Sequence, residues 1–362
     1  MTAFHGGNLW PLLEKALPGS ETPLDFSVDM NPFGPPSGLR SLLEEGLDQI
    51  HCYPEPSYRI FREAAAQVEG VDPSEILSGN GTADLIHLIS RWKARDGVAV
   101  IVPAFTEYER AARADGSEPV RWMLREENGA FIPPVLDKPP WLERAGLLFL
   151  CNPNNPTGTL WPQEPLLRLL HLCEESGTIL VVDEAYMDLV EDGNRHSLVP
   201  RVKESDHLIV LRSLTKGFAV PGLRLGYLAA SSRTIRQLNG LQPPWSVNAV
   251  AAHAGPKLLQ DQQYLADSRA GLQPLRRSLW NALGGIQGLI PYPSAANFFL
   301  CRLENRNLSG SELVERLKNR GILIRTCDDF TGLAAGRFIR TAVRRMEENE
   351  RLVASLKEAL PG

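Results

Sequence analysis

A lysine stands just past an apolar run in Leu211-Arg212-Ser213-Leu214-Thr215-Lys216-Gly217-Phe218. Two hydroxyls, Ser213 and Thr215, precede it. Arg224 follows eight residues later in Pro221-Gly222-Leu223-Arg224-Leu225-Gly226-Tyr227. An amine so placed can form a Schiff base, while two hydroxyls and a guanidinium can hold a phosphate. Pyridoxal 5'-phosphate asks for both at once. Read alone, the run is also compatible with a surface lysine after a strand, so its companion segments decide.

In Leu180-Val181-Val182-Asp183-Glu184-Ala185-Tyr186, Asp183 closes an apolar run. A carboxylate there can pair with a pyridine nitrogen and keep it protonated, which makes the ring an electron sink. Tyr186 can reach the ring hydroxyl. In Leu148-Phe149-Leu150-Cys151-Asn152-Pro153-Asn154-Asn155-Pro156-Thr157-Gly158, an apolar run enters two Asn-Pro steps and a glycine. Proline bars helix before it and glycine allows positive φ, so this reads as a rigid turn at a strand end. Asn155 is placed to donate to the ring oxygen. Taken singly, Asp183 caps a loop and Asn155 belongs to a turn.

Taken together and in this order, Asn155, Asp183, Tyr186, Lys216 and Arg224 resemble the fold-type I pyridoxal-phosphate enzymes. The likeness extends upstream. Ser78-Gly79-Asn80-Gly81-Thr82-Ala83-Asp84 opens a helix after Ile76-Leu77. The amides of Gly81, Thr82 and Ala83 at that helix start suit the cofactor phosphate. In Pro103-Ala104-Phe105-Thr106-Glu107-Tyr108, Tyr108 matches the aromatic that stacks on the pyridine ring.

These residues need a scaffold, and the pattern between them supplies one. Strands are predicted at 98–102, 120–124, 147–151, 179–182, 208–211 and 224–228, with helical stretches such as 166–175 between most of them. That alternation predicts an α/β fold with a mostly parallel central sheet covered by helices. In such sheets ligands bind at the carboxyl ends of strands, where Asn155, Asp183 and Lys216 fall. After Pro243-Pro244 the pattern changes to a smaller α+β domain. The expected division is an N-terminal arm over 1–36 packing with the small domain, a large cofactor-binding domain over 37–250, and the small domain over 251–362. A chain of 362 residues with 43% hydrophobic residues can bury cores for both.

A net charge of -5 argues against a nucleic-acid footprint. The five cysteines, Cys52, Cys151, Cys173, Cys301 and Cys327, form no close pair and read as reduced residues of a cytoplasmic protein. No metal-ligand spacing, signal segment or membrane-spanning stretch is expected.

Substrate choice must come from the arm and the small domain, because the cofactor does the bond chemistry. His5-Gly6-Gly7-Asn8, Arg212 to Lys216, Pro221 to Tyr227, Pro244-Trp245-Ser246-Val247-Asn248 and Ile322-Leu323-Ile324-Arg325-Thr326-Cys327 are similar to the L-threonine-O-3-phosphate decarboxylases of cobalamin biosynthesis. The histidinol-phosphate aminotransferases share the cofactor site but not the His-Gly-Gly-Asn start. The resemblance implies that Arg340 pairs with the substrate carboxylate and that Arg325 meets the substrate phosphate or the carboxylate region. It further implies that His5 and the Gly6 amide contact the substrate phosphate, and that Asn155 also faces the substrate. Tyr53, in His51-Cys52-Tyr53-Pro54-Glu55-Pro56, matches a tyrosine that reaches the cofactor phosphate of a neighbouring subunit, so a homodimer with shared sites is expected.

One position departs from the pattern. In Ser27-Val28-Asp29-Met30-Asn31-Pro32, the family usually has a substrate-contacting asparagine where Asp29 stands. A carboxylate would repel a dianionic substrate unless turned away, protonated or paired with an arginine. The implied reaction is decarboxylation of L-threonine O-3-phosphate; L-serine O-phosphate and histidinol-phosphate-type transamination are the alternatives. A catalytically silent regulator is disfavoured by the intact Lys216, Asp183, Tyr186 and Arg224.

Overall fold

The computed structural model describes residues 6–8, 14, 23–305 and 307–360. In chain order its strands are β1 (Leu24–Asp25), β2 (Ile76–Gly79), β3 (Val98–Val102), β4 (Val120–Met123), β5 (Arg125–Glu127), β6 (Ala130–Ile132), β7 (Leu147–Cys151), β8 (Ile179–Asp183), β9 (Leu208–Ser213), β10 (Gly226–Ala230), β11 (Leu289–Pro291), β12 (Phe298–Leu303), β13 (Ile322–Leu323), β14 (Arg325–Thr326) and β15 (Phe338–Ala342). Seven of them make one sheet in the order β2-β10-β9-β8-β7-β3-β4. Within it β10 runs antiparallel to both neighbours, and the other pairings are parallel.

The strand sequences are continuous apolar runs because the sheet is covered on both faces. Leu148 and Leu150 of β7 pack into one cluster with Phe61, Leu166 and Leu258. Leu147, Phe149 and Cys151 of the same strand enter another with Leu85, Ile89 and Ala111. Helices Arg59–Glu69, Gln163–Ser176 and Ala249–Gln260 therefore cover one face, and Thr82–Lys93, Glu107–Ala114 and Ser232–Asn239 the other.

Chain order gives this sheet a switch point. From β3 the chain steps outward to β4, then returns to β7 on the other side of β3 and continues to β8 and β9. A crevice opens outside the carboxyl ends where the direction reverses. Register places Cys151 beside Asp183 and Asp183 beside Leu211, so the segments carrying Asn155, Asp183 and Lys216 leave the sheet at one level.

Asn248 caps helix Ala249–Gln260 by accepting from the Ala251 amide at 2.8 Å, and beyond that helix the chain forms a second layer. Helix Gln262–Gly284 sets Leu272, Leu275, Leu279 and Leu283 on one face, at three- and four-residue spacing, against the four-stranded sheet β11-β12-β15-β14. β1 pairs in parallel with β13, Leu24 opposite Ile322, in a separate two-stranded sheet, and the Ala342 amide at the end of β15 donates to the Phe26 carbonyl at 2.9 Å, which ties the N-terminal segment to the four-stranded sheet.

Two elements differ from the sequence pattern. The strand expected to begin at Arg224 begins at Gly226, because Arg224 has φ +54 and a left-handed residue cannot continue a strand. The β5–β6 hairpin was not expected, being two three-residue strands without a long apolar run.

Candidate active site

Lys216 projects from a one-turn helix, Leu214–Gly217, that follows β9 directly. Ser213 caps that turn by accepting from the Thr215 amide at 3.3 Å, and the two hydroxyls meet at 2.8 Å. From outside, the Asn31 amide donates to the Lys216 carbonyl at 3.1 Å, and its side chain donates to the Gly217 carbonyl and to Ser268 at 2.8 Å each. This clamp joins the N-terminal segment to the lysine turn across 186 residues, and no local pattern announces it. Burial pushes the Lys216 amine below its ordinary value, although Asp29 opposes the shift. An amine held there is more readily the neutral nucleophile that a carbonyl needs.

A cavity of about 340 Å³ opens in front of the lysine. Thr82, Ala83, Ser213, Thr215 and Arg224 line it, together with Tyr108, Asn155, Asp183 and Tyr186 and the paired Asp29 and Arg340. Gly81 has φ +81, and a Cβ there would stand 2.7 Å from an Arg224 guanidinium nitrogen. The glycine thus leaves room for the Arg224 guanidinium beside the start of helix Thr82–Lys93. Arg224 forms no ion pair among the described residues, which leaves its charge for an anion.

Asp183 is buried, accepting from the Ala185 amide at 3.0 Å and the Tyr108 hydroxyl at 2.7 Å. Burial raises its pKa against those two donors and the more distant Lys216. A buried carboxylate with only neutral hydrogen-bond donors calls for a cation, and a pyridinium nitrogen is one. Tyr108 stacks on Phe149 with ring centres 5.1 Å apart. Tyr108 lines the cavity as well as holding Asp183, and Phe105, set edge-on to it at 5.7 Å, is a partly exposed aromatic on the same wall.

Asn155 comes from the turn after β7. Asn154 braces that turn by donating to the Pro103 carbonyl at 2.9 Å and to Thr157 at 2.8 Å. Gly158 completes it at φ +72, where a Cβ would fall 2.9 Å from the Ser294 Cα. The Asn155 Oδ1 accepts from Arg340 Nη1 at 2.5 Å, so its amide nitrogen is the free donor for a ring oxygen.

Arg340, on β15, is buried. Its Nη2 donates to the Ser27 carbonyl at 3.0 Å and to Asp29 Oδ1 at 2.8 Å. Asp29 Oδ2 stands 3.5 Å from Lys216 Nζ. Burial pushes the Asp29 carboxyl up, but Arg340, Lys216 and the Tyr186 hydroxyl outweigh it and hold it at about 2. Of the outcomes weighed for Asp29, pairing with an arginine is the one found, and the group is ionised. Tyr186 sits under the lysine, its ring centre 5.5 Å from Nζ.

Three expected residues lie apart from this cavity. Arg325 is directly opposite Arg340 on β14, but its guanidinium binds Asp329 at 2.7 Å and does not line the wall. Gly6 packs on Ser27, whose carbonyl also serves Arg340, and Gly7 donates to the Ser27 hydroxyl at 2.9 Å. His5 falls outside the described residues. Tyr53 is 78% exposed and stacks on Trp245 at 4.3 Å, away from the lysine.

The chemistry of this set fits pyridoxal phosphate: an amine, a phosphate cradle, a carboxylate lacking a close cation, and an amide for the ring oxygen. The comparisons agree. The family model described as aminotransferase class I and II matches residues 24–356. A threonine-phosphate decarboxylase of Salmonella typhimurium is 37% identical, over 99% of this chain and 97% of that protein. The crystal structure of a histidinol-phosphate aminotransferase from Clostridium acetobutylicum superposes with a TM-score of 0.84 at 30% identity, covering 92% of this chain and 98% of that one. The crystal structure of an L-threonine-O-3-phosphate decarboxylase from Porphyromonas gingivalis gives 0.79 at 26% identity, covering 91% and 98%. The chain belongs to the class I and II aminotransferase family of fold-type I pyridoxal-phosphate enzymes, and within it to the threonine-phosphate decarboxylases.

Proposed function

We propose that this protein converts L-threonine O-3-phosphate to (R)-1-aminopropan-2-ol O-phosphate and carbon dioxide, a step of cobalamin biosynthesis. The observation that carries the reading is the near-complete likeness to a threonine-phosphate decarboxylase, joined to Arg340 as a buried guanidinium on the wall of the lysine cavity. Bound to Lys216, the cofactor supplies an electron sink for the pair left when a Cα bond breaks.

The chain decides which bond that is. Arg340, braced by Asn155, Ser27 and Asp29, anchors the carboxylate at the end of the cavity away from the phosphate cradle. By fixing the carboxylate, Arg340 would select the bond from Cα to the carboxylate, rather than Cα–H, for cleavage. Lys216 then returns a proton to Cα. Asp183 keeps its negative charge against the ring nitrogen, with Tyr108 and the Ala185 amide fixing its orientation. In this proposal Tyr108 stacks on the ring with Phe105 beside it, Asn155 and Tyr186 serve its oxygen, and Gly81, Thr82, Ala83, Ser213, Thr215 and Arg224 hold the cofactor phosphate. The substrate phosphate meets the arm at His5 and Gly6, with Arg325 behind.

The active unit is proposed to be a cytoplasmic homodimer. Tyr53 stands in an exposed apolar patch with Leu47, Ile50 and Ile60, beside a cleft lined by His51, Tyr58 and His253. Among the described residues no helix is long and apolar enough to cross a membrane.

The test incubates the holoenzyme with threonine phosphate, serine phosphate and histidinol phosphate, each with and without 2-oxoglutarate. The amine phosphate from threonine phosphate without a keto acid supports the proposal. Glutamate formation from histidinol phosphate, with no amine phosphate formed, would replace it by the aminotransferase reading.

A further inference from the structure

Asp29 puts a fixed negative charge where the reaction needs to bind one. Its side chain is 2% exposed and on the cavity wall, 2.8 Å from Arg340 and 3.5 Å from Lys216. It is also held in place. The Asn297 side chain donates to the Asp29 and Met30 carbonyls at 3.0 and 3.1 Å. Two residues on, Asn31 is clamped to the lysine turn. The charged wall comprises Asp29, Asp183 and Glu107 against Lys216, Arg110, Arg224 and Arg340.

These charges sort by position. Arg110 pairs with Glu107 at 3.1 Å; in the proposed arrangement Arg224 would serve the cofactor phosphate and Asp183 the ring nitrogen. Once Lys216 carries the cofactor, Arg340 is the cation left at the carboxylate end, and Asp29 already neutralises it. Both Nη atoms are engaged; Nε is buried and makes no hydrogen bond of its own.

We propose that Asp29 is a specificity-determining residue that keeps Arg340 already paired, so that a substrate carboxylate is held beside a fixed like charge. An asparagine would keep the acceptor for Arg340 and remove the repulsion. The repulsion acts on the bound amino acid, fades as the carboxylate leaves as neutral carbon dioxide, and is absent for the product amine. It therefore weakens substrate binding more than it weakens the transition state. The idea rests on the decarboxylase reading for its meaning, but not for its test.

Calorimetric titration of the holoenzyme and its Asp29→Asn variant provides that test. One ligand is 3-phosphoglycerate, which has phosphate and carboxylate but no amine. The other is 1-aminopropan-2-ol O-phosphate, which lacks the carboxylate. The variant should bind the first about tenfold more tightly and the second within about threefold of wild type, because only the first meets Asp29. In turnover of threonine phosphate, KM and kcat should fall together. An Asp29→Ser variant, which removes the charge with a smaller side chain, should tighten the same ligand. Unchanged or weaker 3-phosphoglycerate binding in both variants, or equal tightening of both ligands, overturns the proposal. Absence of carbon dioxide release by wild type would defeat the decarboxylase reading while leaving these binding ratios interpretable.

Discussion

Asp183 and Arg340 show how single side chains divide the work. Asp183 is oriented by Tyr108 and the Ala185 amide, which donate to different carboxylate oxygens; an asparagine keeps its oxygen for the Ala185 amide and can donate from its nitrogen to the Tyr108 hydroxyl. Asp183→Asn should therefore retain cofactor yet lose turnover by roughly 100- to 1000-fold, the range for removing a preorganised charge partner. Absorbance of the bound cofactor and kcat measured on the same sample check this; near-normal kcat contradicts the role. Arg340 uses a fork, one nitrogen to Asn155 and the other to Asp29 and Ser27. Arg340→Lys keeps a charge but cannot span those partners, so kcat/KM should drop on the order of 100-fold with cofactor occupancy unchanged. Undiminished kcat/KM would remove Arg340 from the substrate site. Lys216, Asp183 and Asn155 were legible in the sequence because each lies just past or at the end of an apolar run. The bond from Asp29 to Arg340 spans 311 residues and has no local signature. Tyr108 and Phe105 share one short segment, and both rings reach the cavity wall, a placement the segment's spacing alone does not give.

At the scale of elements, a buried ionic knot sits behind the lysine strand. Arg212 on β9 reaches Glu69 at 2.8 Å, Asp188 at 2.6 Å and Glu184 at 3.4 Å, so one guanidinium serves three carboxylates from helix Arg59–Glu69 and from the end of β8 and the turn after it. Burial pushes Glu184 up to about 7 from 4.5, and Arg212 only partly offsets that. The folded state thus binds a proton at Glu184 that the unfolded chain has released. Stability from this group is complete below pH ~4.5 and declines as pH rises through about 7, by up to roughly 3 kcal/mol. Glu184→Gln should flatten that part of the profile, read as urea midpoints between pH 5 and 8. A parallel profile in the variant would place the titration elsewhere. The main strands were legible because a doubly covered sheet writes itself as apolar runs. The two-residue β1 was not, since its pairing depends on a partner about 300 residues away.

Across the whole molecule, the fold collects the site from both ends of the chain. Asn31 clamps the lysine turn, Arg340 arrives on β15, and the switch point between β3 and β7 supplies the crevice. The class of fold was legible from the alternation, and the second layer from the change after Pro244. The exposed patch around Tyr53 belongs to this scale too. Ile60 is 63% exposed, so Ile60→Glu should leave the subunit folded while opposing burial of that patch. Sedimentation should then show monomers, with activity lost if Tyr53 serves a neighbour's site. A variant that remains dimeric and active would move the interface elsewhere.

Carboxyl-labelled L-threonine O-3-phosphate gives the most direct measurement. With wild-type holoenzyme and no keto acid, label should leave as carbon dioxide in one-to-one ratio with the amine phosphate formed. Lys216→Ala should release none and should lose the borohydride-trappable cofactor. Label retained on a keto acid, or carbon dioxide released equally by Lys216→Ala, would contradict the account.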